Sequence, residues 1–288
     1  MIQKDNEIFL LPAGRKLGYA VYGEPDGKPV LFFHGIPGSR LQRNPDMTVL
    51  QDLSICVYAL DRPGTGLSDY QKNRKLLDWA DDVQAFVDGM GIDRCAVVGI
   101  SSGGPYALAN AYRMPNRITH ILLVSALAPL NDDELFDIID PKMKRLFNFA
   151  KRMPGLLNGL MGVVFLFFKD RFDVAFEKLV ADLPESDKNL LHQPLFAEMF
   201  KKDMAQAFLQ GSKGMVSDIG ILSEPWGYSL NEIKVPVQIW HGTEDTIVPI
   251  NLARFMAENL LQAETHFIEG AGHFMALQYT KEIFSKIM

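Results

Sequence analysis

Four short apolar runs, each ending in a glycine-bearing turn, constrain the fold of this chain more than any other feature. Val30–Phe33 leads into His34-Gly35-Ile36-Pro37-Gly38, and Ile55–Leu60 into Asp61-Arg62-Pro63-Gly64-Thr65-Gly66. Cys95–Gly99 leads into Ile100-Ser101-Ser102-Gly103-Gly104, and Val235–His241 into Gly242-Thr243-Glu244-Asp245. Strands that are apolar on both faces belong in a parallel sheet covered by helices on both sides. Helical spacing falls between them, at Leu77–Met90, Gly103–Tyr112, Asn251–Asn259 and Phe274–Met288. Ile118–Ser125 and Glu264–Ile268 read as further strands, and Glu7–Leu11 and Lys16–Tyr22 as a hairpin turning at Pro12-Ala13-Gly14. The expectation is an α/β fold with a mostly parallel central sheet, its ligands lying beyond the carboxyl ends of the strands.

From Pro129 to Trp226 the alternation stops and helical runs follow one another. This stretch holds 11 of the 19 Phe and 6 of the 13 Met. The chain therefore divides into a core, 1–128 with 227–288, and a helical insertion, 129–226, whose Phe and Met form mainly its own core. Gly159–Phe168 reads GLMGVVFLFF, and Pro154 and Asn158 interrupt its extension toward Met153. A spanning helix needs about 20 apolar residues, so this segment is expected to be a helix buried against protein or substrate, with peripheral contact with lipid left open, and no transmembrane segment is expected.

At 288 residues the chain can bury a large core without disulfides or metals. Lys and Arg number 29 against 35 Asp and Glu, which leaves no basic footprint for nucleic acid. Cys56 and Cys95 each sit in an apolar run and read as buried reduced thiols. No cluster of Cys and His has metal-ligand spacing, so neither a metal nor a cofactor is expected. Met1 to Glu7 is followed by no signal-peptide apolar region, which points to a cytoplasmic protein.

The chemistry concentrates at Gly99-Ile100-Ser101-Ser102-Gly103. A G-x-S-x-G sequence between a strand and a helix is the context of a nucleophile elbow, in which Ser101 projects at a helix N-terminus that favours developing negative charge. A serine needs a base. Of the six histidines, His273 stands out because it follows the loop Gly270-Ala271-Gly272 after the last strand. Asp245 follows the Val235–His241 strand and could orient the imidazole, giving the chain order Ser101, Asp245, His273. Glu244 is its nearest rival, with Asp132 and Asp133 further away. An oxyanion would be met by the backbone N–H groups of Ser102 and Ile36; Pro37 has none to offer. Activity should fall on the acid side near the ordinary His value of about 6.5. His34 and His241 read as loop-holding residues, and Asp61–Gly66 as a structural turn, since it lacks the Lys-Ser/Thr of a phosphate loop.

Together, His34–Gly38, Asp61–Ser68, Gly99–Gly104, Gly242–Asp245 and Gly270–His273 resemble the α/β-hydrolase superfamily, in its serine-nucleophile branch with a helical cap. The resemblance implies that 129–226 is a cap over the active site. Epoxide hydrolases and dehalogenases of this fold carry Asp where this chain has Ser101. Proline iminopeptidases place Trp after the nucleophile, and many esterases and C–C hydrolases place Met or Gln there; this chain has Ser102. The function expected is hydrolysis of a small to medium carboxylic ester with an apolar part, through an acyl-enzyme on Ser101 and with acyl or alcohol groups larger than acetyl preferred. A C–C bond or amide hydrolase using the same three residues remains open, as does a ligand receptor or signalling protein that retains them.

Overall fold

The computed structural model describes residues 1–168 and 171–287. The core opens with β1 (Ile2–Leu10), β2 (Lys16–Gly23), β3 (Lys28–Phe33), α1 (Thr48–Asp52) and β4 (Ile55–Leu60). It continues through α2 (Asp78–Gly89), β5 (Cys95–Ile100), α3 (Gly103–Arg113) and β6 (Ile118–Val124). Helices α4 (Asp133–Ile138), α5 (Pro141–Arg152), α6 (Pro154–Phe168), α7 (Phe172–Val180), α8 (Glu185–Leu191), α9 (Pro194–Ala207) and α10 (Lys213–Leu222) follow. The chain then returns with β7 (Val237–Gly242), α11 (Ile250–Asn259), β8 (Ala263–Ile268) and α12 (Thr280–Ser285).

The eight strands form one sheet in the order β1-β2-β4-β3-β5-β6-β7-β8. β1 with β2 and β2 with β4 run antiparallel; every pair from β4 to β8 is parallel. The chain reverses its direction of winding at β3, which lies between β4 and β5. The crevice beyond β3 and β5 is therefore where a parallel sheet leaves room for a ligand. Alternation along β3 sends Leu31 and Phe33 to one face, against Trp79 and Phe86 of α2 and Tyr106 of α3. It sends Val30 and Phe32 to the other, against Leu50 of α1 and Ile283 and Phe284 of α12.

Local chemistry sets the helix ends. Asp132 caps α4 by accepting from the N–H groups of Glu134 and Leu135, and Asp140 caps α5 with Pro141 in its first turn. α2 stops where Gly91 turns left-handed, at φ +67, and its N–H and that of Ile92 bond back to the carbonyls of Asp88 and Val87. The closing helix expected from Phe274 breaks in two: a 3₁₀ turn at Met275–Leu277 precedes α12. The expected end at Met288 lies outside the described residues. Helix α1, five residues long, was not legible, because so short a segment carries no periodic signal.

Within the insertion, Phe176, Val180, Leu190, Leu191, Phe200 and Met204 form a separate apolar cluster, joined by Leu277 from the core. Helix α6 departs from expectation. Leu157 is buried, yet Leu156, Leu160, Val163 and Val164 stand about half exposed. The helix packs on α5 and α10, and Phe165 stacks on Phe208, while the side that carries Leu156, Leu160, Val163 and Val164 is left open. No described helix is long and apolar enough to cross a membrane. Cys56 and Cys95 are buried and free, and burial pushes the Cys95 thiol up to about 12.

Candidate active site

β5 delivers Ser101 into a tight turn. Its φ is +53, a left-handed conformation that a non-glycine residue holds only when its surroundings enforce it. The Ser101 N–H donates to the Val124 carbonyl at 2.9 Å, while its own carbonyl accepts from Gly104 and Leu127, each at 3.1 Å. The glycines on either side are required by contact. A Cβ on Gly99 would lie 2.7 Å from the Gly103 oxygen, and one on Gly103 would lie 2.2 Å from the Phe33 oxygen. α3 starts at once with Gly103, so its N-terminus faces the serine.

β6 joins this turn to the next loops. Val124 pairs with Ile100 on one side and Trp240 of β7 on the other. Ser125 Oγ donates to the His273 carbonyl at 3.0 Å. His273 Nδ1 meets Asp245 Oδ2 at 2.8 Å. Asp245 Oδ1 accepts from the N–H groups of Ile247 (2.9 Å) and Val248 (2.8 Å). His241 Nε2 lies 2.8 Å from the Val248 carbonyl and 3.3 Å from Asp245 Oδ2; both are acceptors, so this nitrogen carries the proton. Asp245 and His273 are both buried. Burial alone would raise the Asp245 pKa, but the His273 charge and the bonds from His241 and His273 outweigh it and hold the carboxyl well below its usual range. Burial alone would lower His273, but the charge and hydrogen bond of Asp245, with the charge of Asp187, raise it above the usual 6.5. Two carboxylates thus favour the imidazolium over the neutral ring.

The loop after β3 lies against the serine, where a Cβ on Gly35 would come within 3.4 Å of Ser101 Cβ. The Gly35 N–H is committed to Gln42 Oε1 at 2.6 Å. Ile36 precedes Pro37 through a cis peptide bond, and both line a narrow cleft with Phe208 and Met215 from the insertion. His34 Nε2 accepts from the Arg62 N–H at 3.3 Å and its Nδ1 donates to the Gly35 carbonyl at 2.8 Å. Burial and then the Arg62 charge lower its pKa well below 6.5, so it stays neutral.

The remaining candidates lie elsewhere. Glu244, Asp132 and Asp133 are exposed, and Asp132 serves as the α4 cap. His266 stacks on Trp240, and His192 pairs with Glu177 at the insertion surface. The Asp61–Gly66 turn is held by structure: Asp61 accepts from Arg40 N and Nη1 and from Leu67 N. Among the described residues no group of His, Cys, Asp and Glu could hold a metal ion.

Three residues around the site escaped sequence reasoning. Asp187 on α8 accepts from the N–H groups of His273 (2.8 Å) and Phe274 (2.9 Å). Asp203 on α9 accepts from the Ser39 N–H (2.7 Å) and Oγ (2.6 Å). Asp218 on α10 takes Arg62 Nε at 2.6 Å, the Tyr106 hydroxyl at 2.9 Å, and Arg74. Each is buried. A lone Asp in a helical run carries no motif, and each partner lies 86 to 164 positions away or is brought in by the fold.

The family whose members share the alpha/beta hydrolase fold matches residues 28–278. The chain is an α/β hydrolase. An AB hydrolase superfamily protein of Bacillus subtilis (strain 168) is 27% identical over 255 residues, covering 86% of this chain and 85% of its own. A bifunctional esterase/perhydrolase of Acinetobacter calcoaceticus is 26% identical over 254 residues, covering 83% and 82%. Among solved structures, an esterase from Exiguobacterium antarcticum superposes with a TM-score of 0.70 at 19% identity, over 98% of this chain and 97% of that one. The hydrolase fold accounts for the order in which the Ser101, Asp245 and His273 loops leave β5, β7 and β8.

Proposed function

We propose that this hydrolase cleaves carboxylic esters through Ser101, His273 and Asp245, under a cap formed by residues 129–226. The observation that carries the reading is the buried Asp245–His273 pair at 2.8 Å. With its Nδ1–H donating a hydrogen bond to the ionised carboxylate, the imidazole presents Nε2 as an unprotonated base. Ser101 Oγ attacks the ester carbonyl as Nε2 takes its proton. The tetrahedral oxyanion is met by the N–H groups of Ile36 and Ser102, at the α3 N-terminus. Collapse breaks the ester C–O bond, His273 protonates the departing alcohol, and the acyl group stays on Ser101. Water, deprotonated by His273, then releases the acid.

Support for an ester comes from the kinship with an esterase/perhydrolase and from the apolar side chains of Ile36, Phe208 and Met215 in a small cleft at the loop after β3, the loop whose Gly35 packs against Ser101. The experiment is turnover of p-nitrophenyl esters, anilides and lactones by wild type and Ser101→Ala, with organophosphonate labelling. Ester turnover should fall about 10⁴-fold or more in the variant, and the label should sit on Ser101. Labelling of Ser102 or Ser39 instead, with Ser101→Ala still active, would defeat the assignment.

A further inference from the structure

We infer that Asp187, on cap helix α8, is a positioning residue for His273, so that docking of this helix and placement of the base are one event. The inference rests on the reading of His273 as the general base. Both Asp187 oxygens are used: Oδ2 accepts from the His273 N–H at 2.8 Å and Oδ1 from the Phe274 N–H at 2.9 Å. The carboxylate is 1% exposed, and the hydrogen bonds it receives come from backbone amides, with no Lys or Arg among its partners. A buried charge held in this way is an expensive means of packing a helix, and an apolar residue would fill the volume more cheaply.

The approach is close. A Cβ on Gly272 would meet Asp187 Oδ2 at 2.2 Å and Cγ at 2.4 Å. Glycine at 272 is what lets the carboxylate reach the amides. On the other side, Ser125 Oγ donates to the His273 carbonyl at 3.0 Å. The backbone of the base is thus fixed at its N–H by the cap and at its C=O by the sheet. If α8 lifts, the His273 amide loses its acceptor and the imidazole loses its register with Ser101.

The ring answers to the same group. The charged and titratable groups facing His273 are Asp245 from the β7 loop, with His241 behind it, and Asp187 from α8. The imidazolium formed during catalysis therefore has one carboxylate on its ring nitrogen and feels the charge of a second, held on the backbone N–H of the same residue.

The test is steady-state kinetics across pH on wild type, Asp187→Asn and Gly272→Ala, with Ser101→Ala and His273→Ala alongside. Asp187→Asn keeps the shape but removes the charge and one acceptor; Gly272→Ala pushes the carboxylate away from the core side. Each should lower kcat by about 10- to 100-fold, the effect of a small misplacement of a catalytic group, with KM changed less than about threefold. The acid limb of kcat/KM should move to lower pH in both, because the imidazolium loses a charge partner. A lower melting temperature with unchanged kcat and an unmoved acid limb, in either variant that folds, reduces Asp187 to a structural anchor and overturns the inference. If Ser101→Ala and His273→Ala keep full turnover, it is the serine-hydrolase reading that fails. If they abolish turnover while the Asp187 and Gly272 variants match wild type, only the positioning role fails.

Discussion

A carboxylate stripped of water must be held by donors, and Asp245 is held by the N–H groups of Ile247 and Val248, by His273 Nδ1 and by His241 Nε2. Asp245→Asn keeps the size but offers His273 an amide, which permits the wrong tautomer. Turnover should fall about 10²- to 10⁴-fold, measured on a p-nitrophenyl ester; full activity in Asp245→Asn would move the acid elsewhere. His273 has its pKa raised by Asp245 and Asp187, so its protonated form persists to higher pH than in a free side chain. Activity that needs the neutral base is then lost as pH falls through a value above 6.5. A kcat/KM profile with its acid limb below 6.5 would contradict that order of charges.

Helices α8, α9 and α10 each lay one buried aspartate on a loop at the carboxyl end of the sheet: Asp187 on the loop after β8, Asp203 on that after β3, and Asp218 on that after β4. Their electrostatics differ. Asp218 has two guanidinium groups to pair with, whereas among the described residues the Asp203 carboxyl bonds only to Ser39, and its Oδ2 has no partner. Burial first, then the neighbouring Asp61 charge, push Asp203 up to about 7, against the pull of Ser39 and Arg40. The folded protein thus prefers the protonated acid. That share of stability is complete below the unfolded value of about 3.9 and is lost as pH rises through 7. Its size is on the order of a few kcal/mol. Asp203→Asn keeps an acceptor for Ser39 and removes the ionisation. Its melting temperature should match wild type near pH 4 and exceed it at pH 8; a variant less stable at pH 8 would show that the charged form is well housed.

At the scale of the whole molecule, we propose that the insertion and the sheet together decide what reaches Ser101. Ser101 and His273 are 8% and 7% exposed, so only a narrow approach is open. A small cleft at the Ile36–Pro37 loop brings apolar side chains from both parts together, Ile36 and Pro37 from the core and Phe208 and Met215 from the helices before β7, with His34, Arg62, Thr65 and Asp218 also in its walls; we propose that it takes the acyl chain of an ester bound at Ser101. Each acyl CH₂ buried there is worth up to about 0.8 kcal/mol, or about fourfold in kcat/KM when the transition state feels it. We expect kcat/KM to rise from acetate to butyrate or hexanoate esters and fall once the cleft is full. Met215→Ala should shift the optimum to a longer chain. A preference for acetate over every longer ester would refute the apolar-cleft reading and leave the serine assignment standing.

The sheet was legible in the sequence because each parallel strand is a short run buried on both faces, and burial of that kind leaves a pattern of its own in the residues. β4 begins and ends where its apolar run does, at Ile55 and Leu60. The elbow was legible for a local reason: Gly99 and Gly103 are the residues that a turn packed against Phe33 and α3 can accept. Their places in loops after the Val235–His241 and Glu264–Ile268 strands, with their order in the chain, suggested Asp245 and His273, and the fold placed them 2.8 Å apart. What no local pattern carries is the side of the site built by the insertion. Asp187, Asp203 and Asp218 are ordinary acidic residues in helical runs until folding removes their water, and no breaker residue marks the division between the Met275–Leu277 turn and α12. The exposure of α6 is of the same kind: apolar composition fixes that a segment can be buried, but only tertiary packing decides whether anything lies on top of it.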